Sequence, residues 1–273
     1  MRTPASGLHR GEKSKAPVDS MVFRDATVPW EGPMARGGRL IAVEGSSAAG
    51  KTTLVREASE GLGWEPLAEA FDRLDPAPSL EFRSPRELLR LEGTLLAEEA
   101  LRFEQGKRFS AQGKTVIADT AFFGPLTYTW GLVGLGLAPQ SVAQGVMRAA
   151  RALVQKRSLG LPDLTIYLET SARERSRRAR AARARHPSTL FSRHESVGQL
   201  ERRYYTELLP AVLPRRVRIL RGQTSPESLA RRLHEVVDGM RWRPATPRET
   251  VVSLRILPLL AEDARRSKVR PNR

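Results

Sequence analysis

An α/β domain with a five-stranded parallel sheet flanked by helices is the fold class this sequence predicts, on two observations. Short apolar, β-branched runs alternate with segments of helical periodicity from residue 39 to residue 240. Between the first run and the first helix stands Gly45-Ser46-Ser47-Ala48-Ala49-Gly50-Lys51-Thr52, a complete G-x-x-x-x-G-K-[ST] loop. The alternation implies right-handed crossovers, with ligands at the carboxyl edge of the sheet. The loop says what binds there. Its successive backbone N–H groups curl around phosphates at the positive end of a helix. The predicted fold is that of a P-loop NTPase, and the ligand a nucleoside triphosphate.

Arg39-Leu40-Ile41-Ala42-Val43 reads as the first strand, and residues 52–62, apolar at Leu54, Val55, Ala58 and Leu62, as the helix behind the loop. A second strand falls at 64–68. The stretch 72–85, containing Asp75-Pro76-Ala77-Pro78, is a connection. Residues 85–109 form a long helix with Leu88, Leu91, Leu95, Leu96, Ala100 and Phe103 on its apolar face. After Gly113-Lys114 comes a third strand, Thr115-Val116-Ile117-Ala118, closing on Asp119. Helix resumes around 141–156. Pro162-Asp163 introduces the fourth strand, Leu164-Thr165-Ile166-Tyr167-Leu168. Ser171-Ala172-Arg173-Glu174 has the S-x-x-E form of a capping box and opens the next helix. Residues 195–209 are helical, Val217-Arg218-Ile219-Leu220 is the fifth strand, and 226–240 the last helix.

The domain therefore spans 38–240. Residues 1–37 lack periodicity and read as a disordered N-terminal arm. Residues 241–273 read as a basic C-terminal tail in which 251–257 is either an added strand or a docked segment.

A chain of 273 residues, 40% hydrophobic, suits one large domain with tails. No run reaches the ~18 apolar residues of a membrane span, and residues 1–15 carry no apolar signal core. The absence of cysteine excludes disulfides, cysteine-ligated zinc and thiol catalysis, and fits a reducing, cytoplasmic setting. The net charge of +16 raises nucleic acid as a partner. Arginine is spread along the whole chain, densest at 173–185 and 265–273, and no nucleic-acid module is visible. A solvated arginine-rich surface is the favoured account, and nucleic acid is not.

The cradle comprises Gly45, Ser46, Ser47, Ala48, Ala49, Gly50, Lys51, Thr52 and Thr53. Lys51 is placed to reach the β- and γ-phosphates and Thr52 to ligate Mg²⁺. Asp119 and Glu69 follow the third and second strands, at the same sheet edge as the loop. An acid there holds hydrated Mg²⁺ or accepts the proton of an attacking hydroxyl. Arg173, Arg175, Arg177, Arg178, Arg180, Arg183 and Arg185 surround one helix, so most face solvent and one or two can act on a phosphoryl group. Arg185-His186-Pro187-Ser188 reads as the tip of a mobile lid that excludes water.

Ala42-Val43-Glu44-Gly45 running into Gly50-Lys51-Thr52-Thr53-Leu54 resembles the opening of thymidylate kinases and related deoxynucleoside kinases. Residues 113–119 are similar to the strand that ends there in an Asp-Arg or Glu-Arg pair, and 162–169 resemble the fourth strand. Arg193-His194-Glu195 with Leu200-Glu201-Arg202 and Tyr204 is similar to the helix after the lid. The resemblance covers about 39–240. It implies that Arg178, with Arg183 behind it, is the lid arginine, that Glu69 is the general base, and that Arg102 and Gln105 contact a base. The chain departs from the pattern in three places. Thr120 follows Asp119 where the family has arginine, Ala48 replaces a usual glycine, and no Arg-Glu-Pro ends the second strand.

The function expected is an ATP-dependent, Mg²⁺-requiring phosphotransferase that moves the γ-phosphate to a nucleoside, nucleotide or similar small hydroxylated acceptor. An antibiotic or other small-molecule kinase on the same fold competes. An aromatic stacker with an amide would favour nucleosides, and acid walls a cationic substrate. From another class comes a regulatory P-loop ATPase with a basic partner-binding surface. A GTPase would need Asn-Lys-x-Asp and an Asp-x-x-Gly after the third strand, and the chain has neither. A homodimer is left open.

Overall fold

The structure, a computed structural model, describes residues 37–76, 78, 81–183, 191–221 and 225–266. The arm, save Gly37, the lid tip at Arg185-His186-Pro187-Ser188, the Arg183 side chain and the last seven residues lie outside the described residues.

Five strands, β1 (Arg39–Glu44), β2 (Glu65–Leu67), β3 (Thr115–Asp119), β4 (Leu164–Glu169) and β5 (Val217–Arg221), form one sheet in the order β2-β3-β1-β4-β5. Every pairing is parallel. β1 is central. Its register sets Val43 opposite Asp119 on β3 and Glu44 opposite Tyr167 on β4, so both neighbours end beside the loop that leaves β1.

Side chains alternate across β1 with the strand period. Leu40 and Ala42 join a core shared with α2 (Pro85–Ala111), α3 (Gly124–Gly134) and α4 (Gln140–Gln155). Ile41 and Val43 face α1 (Lys51–Leu62) and α8 (Pro226–Asp238). The remaining helices are α5 (Ala172–Arg183), α6 (Phe191–Arg203), α7 (Leu209–Val212), α9 (Pro247–Ile256) and α10 (Pro258–Arg266). α6 runs into a π-helical segment, Tyr204–Leu208, which turns the consecutive Tyr204 and Tyr205 both inward. No described helix is long and apolar enough to cross a membrane.

Three helices, α3, α9 and α10, differ from the sequence expectation. α3 has poor helix propensity, with three glycines and two threonines within Gly124–Gly134. Tertiary burial overrides it: Leu126, Thr127, Thr129, Trp130 and Leu132 are all buried. Thr129 returns its hydroxyl to the helix, Oγ1 donating to the Pro125 carbonyl at 2.8 Å. At the other end, residues 251–257 are not an added strand but a docked segment, and a helical one. Residues 251–256 belong to α9 and Leu257 caps it; the helix is opened by a capping box between Thr246 and Glu249 with Pro247 at its first position. Leu254, Leu257, Leu260, Ala261 and Ala264 carry α9 and α10 into the main core.

Buried Arg216 ties that end down. It donates to both carboxylate oxygens of Glu249 and to the main-chain oxygens of Asp163, Arg243 and Pro244. Asp163 completes the clamp, accepting from the Leu40 and Ala245 amides at 2.9 and 3.0 Å.

Candidate functional site

The loop between β1 and α1 turns through three positive-φ residues: Gly45 at 154°, Ala48 at 60° and Gly50 at 102°. Such turns aim successive N–H groups into one concavity, an anion nest. Main-chain crowding requires glycine at Gly45, and the backbone conformation favours it at Gly50. A Cβ on Gly45 would stand 2.7 Å from the Leu168 carbonyl oxygen, and one on Gly50 2.8 Å from an Arg178 guanidinium nitrogen. Ala48 takes the left-handed conformation without a glycine's freedom, a strain stored within the loop. Lys51 Nζ donates to the Gly45 carbonyl at 3.0 Å, and Thr52 stands exposed on the first turn of α1.

α5 lies against the loop's outer side. Ser171 caps it, accepting from the Glu174 amide at 3.3 Å, while the Glu174 carboxylate pairs with Arg177 and Arg178. Arg178 Nη1 donates to the Ala49 carbonyl at 2.6 Å, and Thr170 Oγ1 donates to the same oxygen at 3.0 Å. Arg178 thus touches the loop, whereas Arg177 is largely exposed. Between α1, α5 and α8 runs a cleft of about 840 Å³. Ala49, Gly50 and Thr53 line one side, Arg173, Arg177 and Arg180 another, and Pro226 and Leu229 the third.

On the loop's other side Lys51 acts on Glu44 at the end of β1, Glu69 after β2 and Glu201 on α6. Asp119 at the end of β3 acts on Glu69, Glu99 on α2 feels Glu44 and Glu69, and Glu92 on α2 feels Glu201. Glu44, Glu92 and Glu99 are buried; Glu69 and Glu201 are half-buried. Glu44 accepts from the Ala121 amide at 2.7 Å, a bond made possible by Thr120 at φ 70°. Glu201 accepts from Thr127 at 3.1 Å. Loss of hydration, opposed by Lys51, lifts Glu44 to about 7. Desolvation and then the Glu44 charge raise Glu201 to about 7. Desolvation takes Glu99 to about 8 although Arg102 is bonded to it. Glu92 is driven well above the carboxylate range by desolvation and then by Glu201. Glu69 is raised by desolvation, with Lys51 opposing and Asp119 and Asp72 adding to it. Tyr167, desolvated to about 12, stacks on Tyr205 with ring centroids 6.2 Å apart.

The structure thus brings Lys51, Glu69 and Asp119 to one face of the loop and Arg178 to the other. The two expected base contacts are bonded within the protein. Arg102 is fully buried, its fork bonded to Glu99 and to the Asp119 carbonyl oxygen. Gln105 accepts from Arg73 at 2.7 Å. The sequence reading missed Glu44, Glu92, Glu99 and Glu201 as site residues. A signal existed for two of them: Glu92 and Glu99 lie two turns apart on the helix face that also buries Leu88, Leu96 and Phe103.

Sheet order, phosphate loop and arginine-bearing helix together give an α/β fold that solved kinase structures share. Two solved structures of deoxyadenosine kinase from M. mycoides share it. The one with bound dATP matches at TM-score 0.58 and 16% identity, over 73% of this chain and 99% of that one. The other, with dCMP and a flexible dCDP, matches at TM-score 0.54 and 16% identity over the same shares. A thymidylate kinase from Candida albicans matches at TM-score 0.49 and 15% identity, over 77% of this chain and 99% of that one. At such identities the likeness is one of fold. No protein-family model matches the chain, and no curated protein matches it.

Proposed function

We propose that the chain is an ATP-dependent kinase of a small hydroxylated molecule. One observation carries this reading: Lys51 stands between a phosphate nest on one side and the desolvated carboxyls of Glu44, Glu69 and Glu201 on the other. In that arrangement Gly45, Ser46, Ser47, Ala48, Ala49 and Gly50 wrap the triphosphate, with Thr53 behind them, and Lys51 moves from the Gly45 carbonyl onto the β/γ-phosphates. The donor base lies in the cleft under α5, against Pro226 and Leu229. Glu69 takes the proton of the acceptor hydroxyl. Its raised pKa suits a base that must bind and then release a proton. Arg178 leaves the Ala49 carbonyl to meet charge developing on the transferred group.

The residues present suit Mg²⁺. Asp119 Oδ1 is buried and bonds to no described residue, and the Thr52 hydroxyl stands exposed beside the nest. Two such oxygens match an ion that keeps waters and phosphate oxygens as its other ligands. When bound, Mg²⁺ neutralises charge on the phosphate oxygens. A screen of hydroxylated small molecules with γ-labelled ATP tests the reading. Label should pass to an acceptor with wild-type protein and fail to pass with Lys51→Ala. A lysine variant that still transfers label overturns the donor site.

A further inference from the structure

At the carboxyl edge of β4 and β5 a second hollow opens, of about 400 Å³, and three arginines reach it from three elements. Leu168 and Leu220 pack toward α1 and α8, so their neighbours Glu169 and Arg221 point to the opposite face of the sheet, partners in the strand register. Arg202, near the end of α6, donates to Glu169 Oε1 at 2.5 Å. Arg175 comes from α5. Standing two residues from both Arg173 and Arg177, it faces away from the nucleotide cleft that they line.

Glu169 is the one acid among the lining residues, and Arg202 already holds it. Glu207, a further acid that Arg202 feels, is paired with Arg203. Arg221 forms no ion pair with a described residue. Three guanidinium groups against one carboxylate leave two positive charges at the hollow without a counter-charge. Ala172 brings the positive end of α5 to the same wall. We infer that this is a second anion site, one that takes the phosphate of a phosphorylated small molecule and signals it to the phosphate loop. Guanidinium forks match phosphate oxygens. The volume lies in the small-molecule range of roughly 300–1,000 Å³, more than a bare inorganic ion fills.

The signal has a route. Arg175 Nη1 donates to the Thr170 carbonyl at 3.0 Å, and Thr170 Oγ1 donates to the Ala49 carbonyl of the loop, the oxygen that Arg178 also holds. An anion that fixes Arg175 and the first turn of α5 steadies the groups that hold the loop, so it and ATP favour each other's binding. That coupling rests on the loop's holding ATP; the charge of the hollow does not.

Calorimetric titration of the full chain at about 0.15 M salt tests both. The probes are ribose 5-phosphate and glycerol 3-phosphate, set against ribose, glycerol, inorganic phosphate and a single-stranded oligonucleotide. The two phosphate esters should bind, the uncharged polyols should not, and inorganic phosphate should bind more weakly. Lys51→Ala should leave this binding in place, whereas Arg221→Ala and Arg202→Ala should each weaken it about tenfold or more in folded protein. Glu169→Gln should tighten it, because a competing negative charge is gone. A saturating ester should raise the affinity for a non-hydrolysable ATP analogue about fivefold or more. Failure of both esters to bind would overturn the inference, as would unchanged binding in both arginine variants, or binding of the oligonucleotide alone. Loss of binding in Lys51→Ala would move the anion to the phosphate loop and overturn it as well. Unchanged analogue affinity would remove the signal to the loop. Ester binding without any ATP-analogue binding would sink the kinase reading and leave the second site standing.

Discussion

Arg102 Nη2 donates to the main-chain oxygen of Asp119 at 2.6 Å, so a helix arginine, rather than the sheet alone, sets where β3 ends. Its guanidinium is wholly buried, lies 5.4 Å from the Phe122 ring centroid and bonds Glu99 through Nη1. Removing it leaves a buried carbonyl oxygen unpaired and Asp119 unanchored. Arg102→Leu should cost about 2–4 kcal/mol in urea unfolding, at the lower side of a broken buried ion pair because Glu99 can take up a proton. It should also lower kcat in proportion to the loss of Asp119's placement.

Arg178 and Gly50 touch so closely that one methyl group interrogates the contact. A Cβ at Gly50 would lie 2.8 Å from Arg178 Nη1, on a backbone at φ 102°. Gly50→Ala should therefore displace the arginine and distort the nest together, raising the KM for ATP and lowering kcat. Arg178→Ala leaves the nest intact. It should lower kcat by about 10²–10³ with little change in nucleotide affinity, the pattern of a group that acts on the transition state. Equal losses of ATP binding in both variants would remove Arg178 from the transfer step.

For Glu69 the pH profile carries the test. Its carboxyl is raised above 4.5 chiefly by desolvation, and a base must be ionised to work. Activity should fall as pH drops through that raised value, giving an acid limb displaced upward from an ordinary glutamate's. Glu69→Gln should reduce kcat by about 10²–10⁴ and abolish the limb, leaving the KM for ATP unchanged. A limb that persists in the variant would transfer the role to Glu44 or Glu201, the neighbouring carboxyls that titrate at about 7.

The donor half of the site was legible because it is local. Eight consecutive residues, Gly45 to Thr52, contain the nest, the lysine and the hydroxyl, and their flanking strand and helix follow from neighbouring periodicity. The acceptor half was not. Glu201 is set in place by Thr127, 74 positions earlier in the chain on α3, a helix held by burial rather than propensity. The C-terminal helices were missed for a different reason. Thr246-Pro247-Arg248-Glu249 carries the same cap pattern as Ser171-Ala172-Arg173-Glu174, but its apolar residues read equally well as a strand.

Two sets of carboxyls pull stability in opposite directions along the pH scale. Glu44 is neutral-favouring in the folded protein, at about 7 against 4.5. The folded state thus holds its proton more tightly than the unfolded chain does. Its contribution is complete below about 4.5 and is lost as pH rises through 7, on the order of 3 kcal/mol at most; Glu99 and Glu201 share the sign. Glu249 behaves in reverse. Desolvation opposes its ionisation, but Arg216 and the Thr246 amide overcome it and hold the carboxyl at about 2. Its contribution is present above 4.5 and vanishes as pH falls toward 2. The melting temperature should therefore peak near pH 5, decline toward pH 8 and collapse below pH 4. Glu44→Gln should flatten the alkaline slope alone, and Glu249→Gln the acid slope alone while lowering the whole curve, since it breaks the clamp that docks α9.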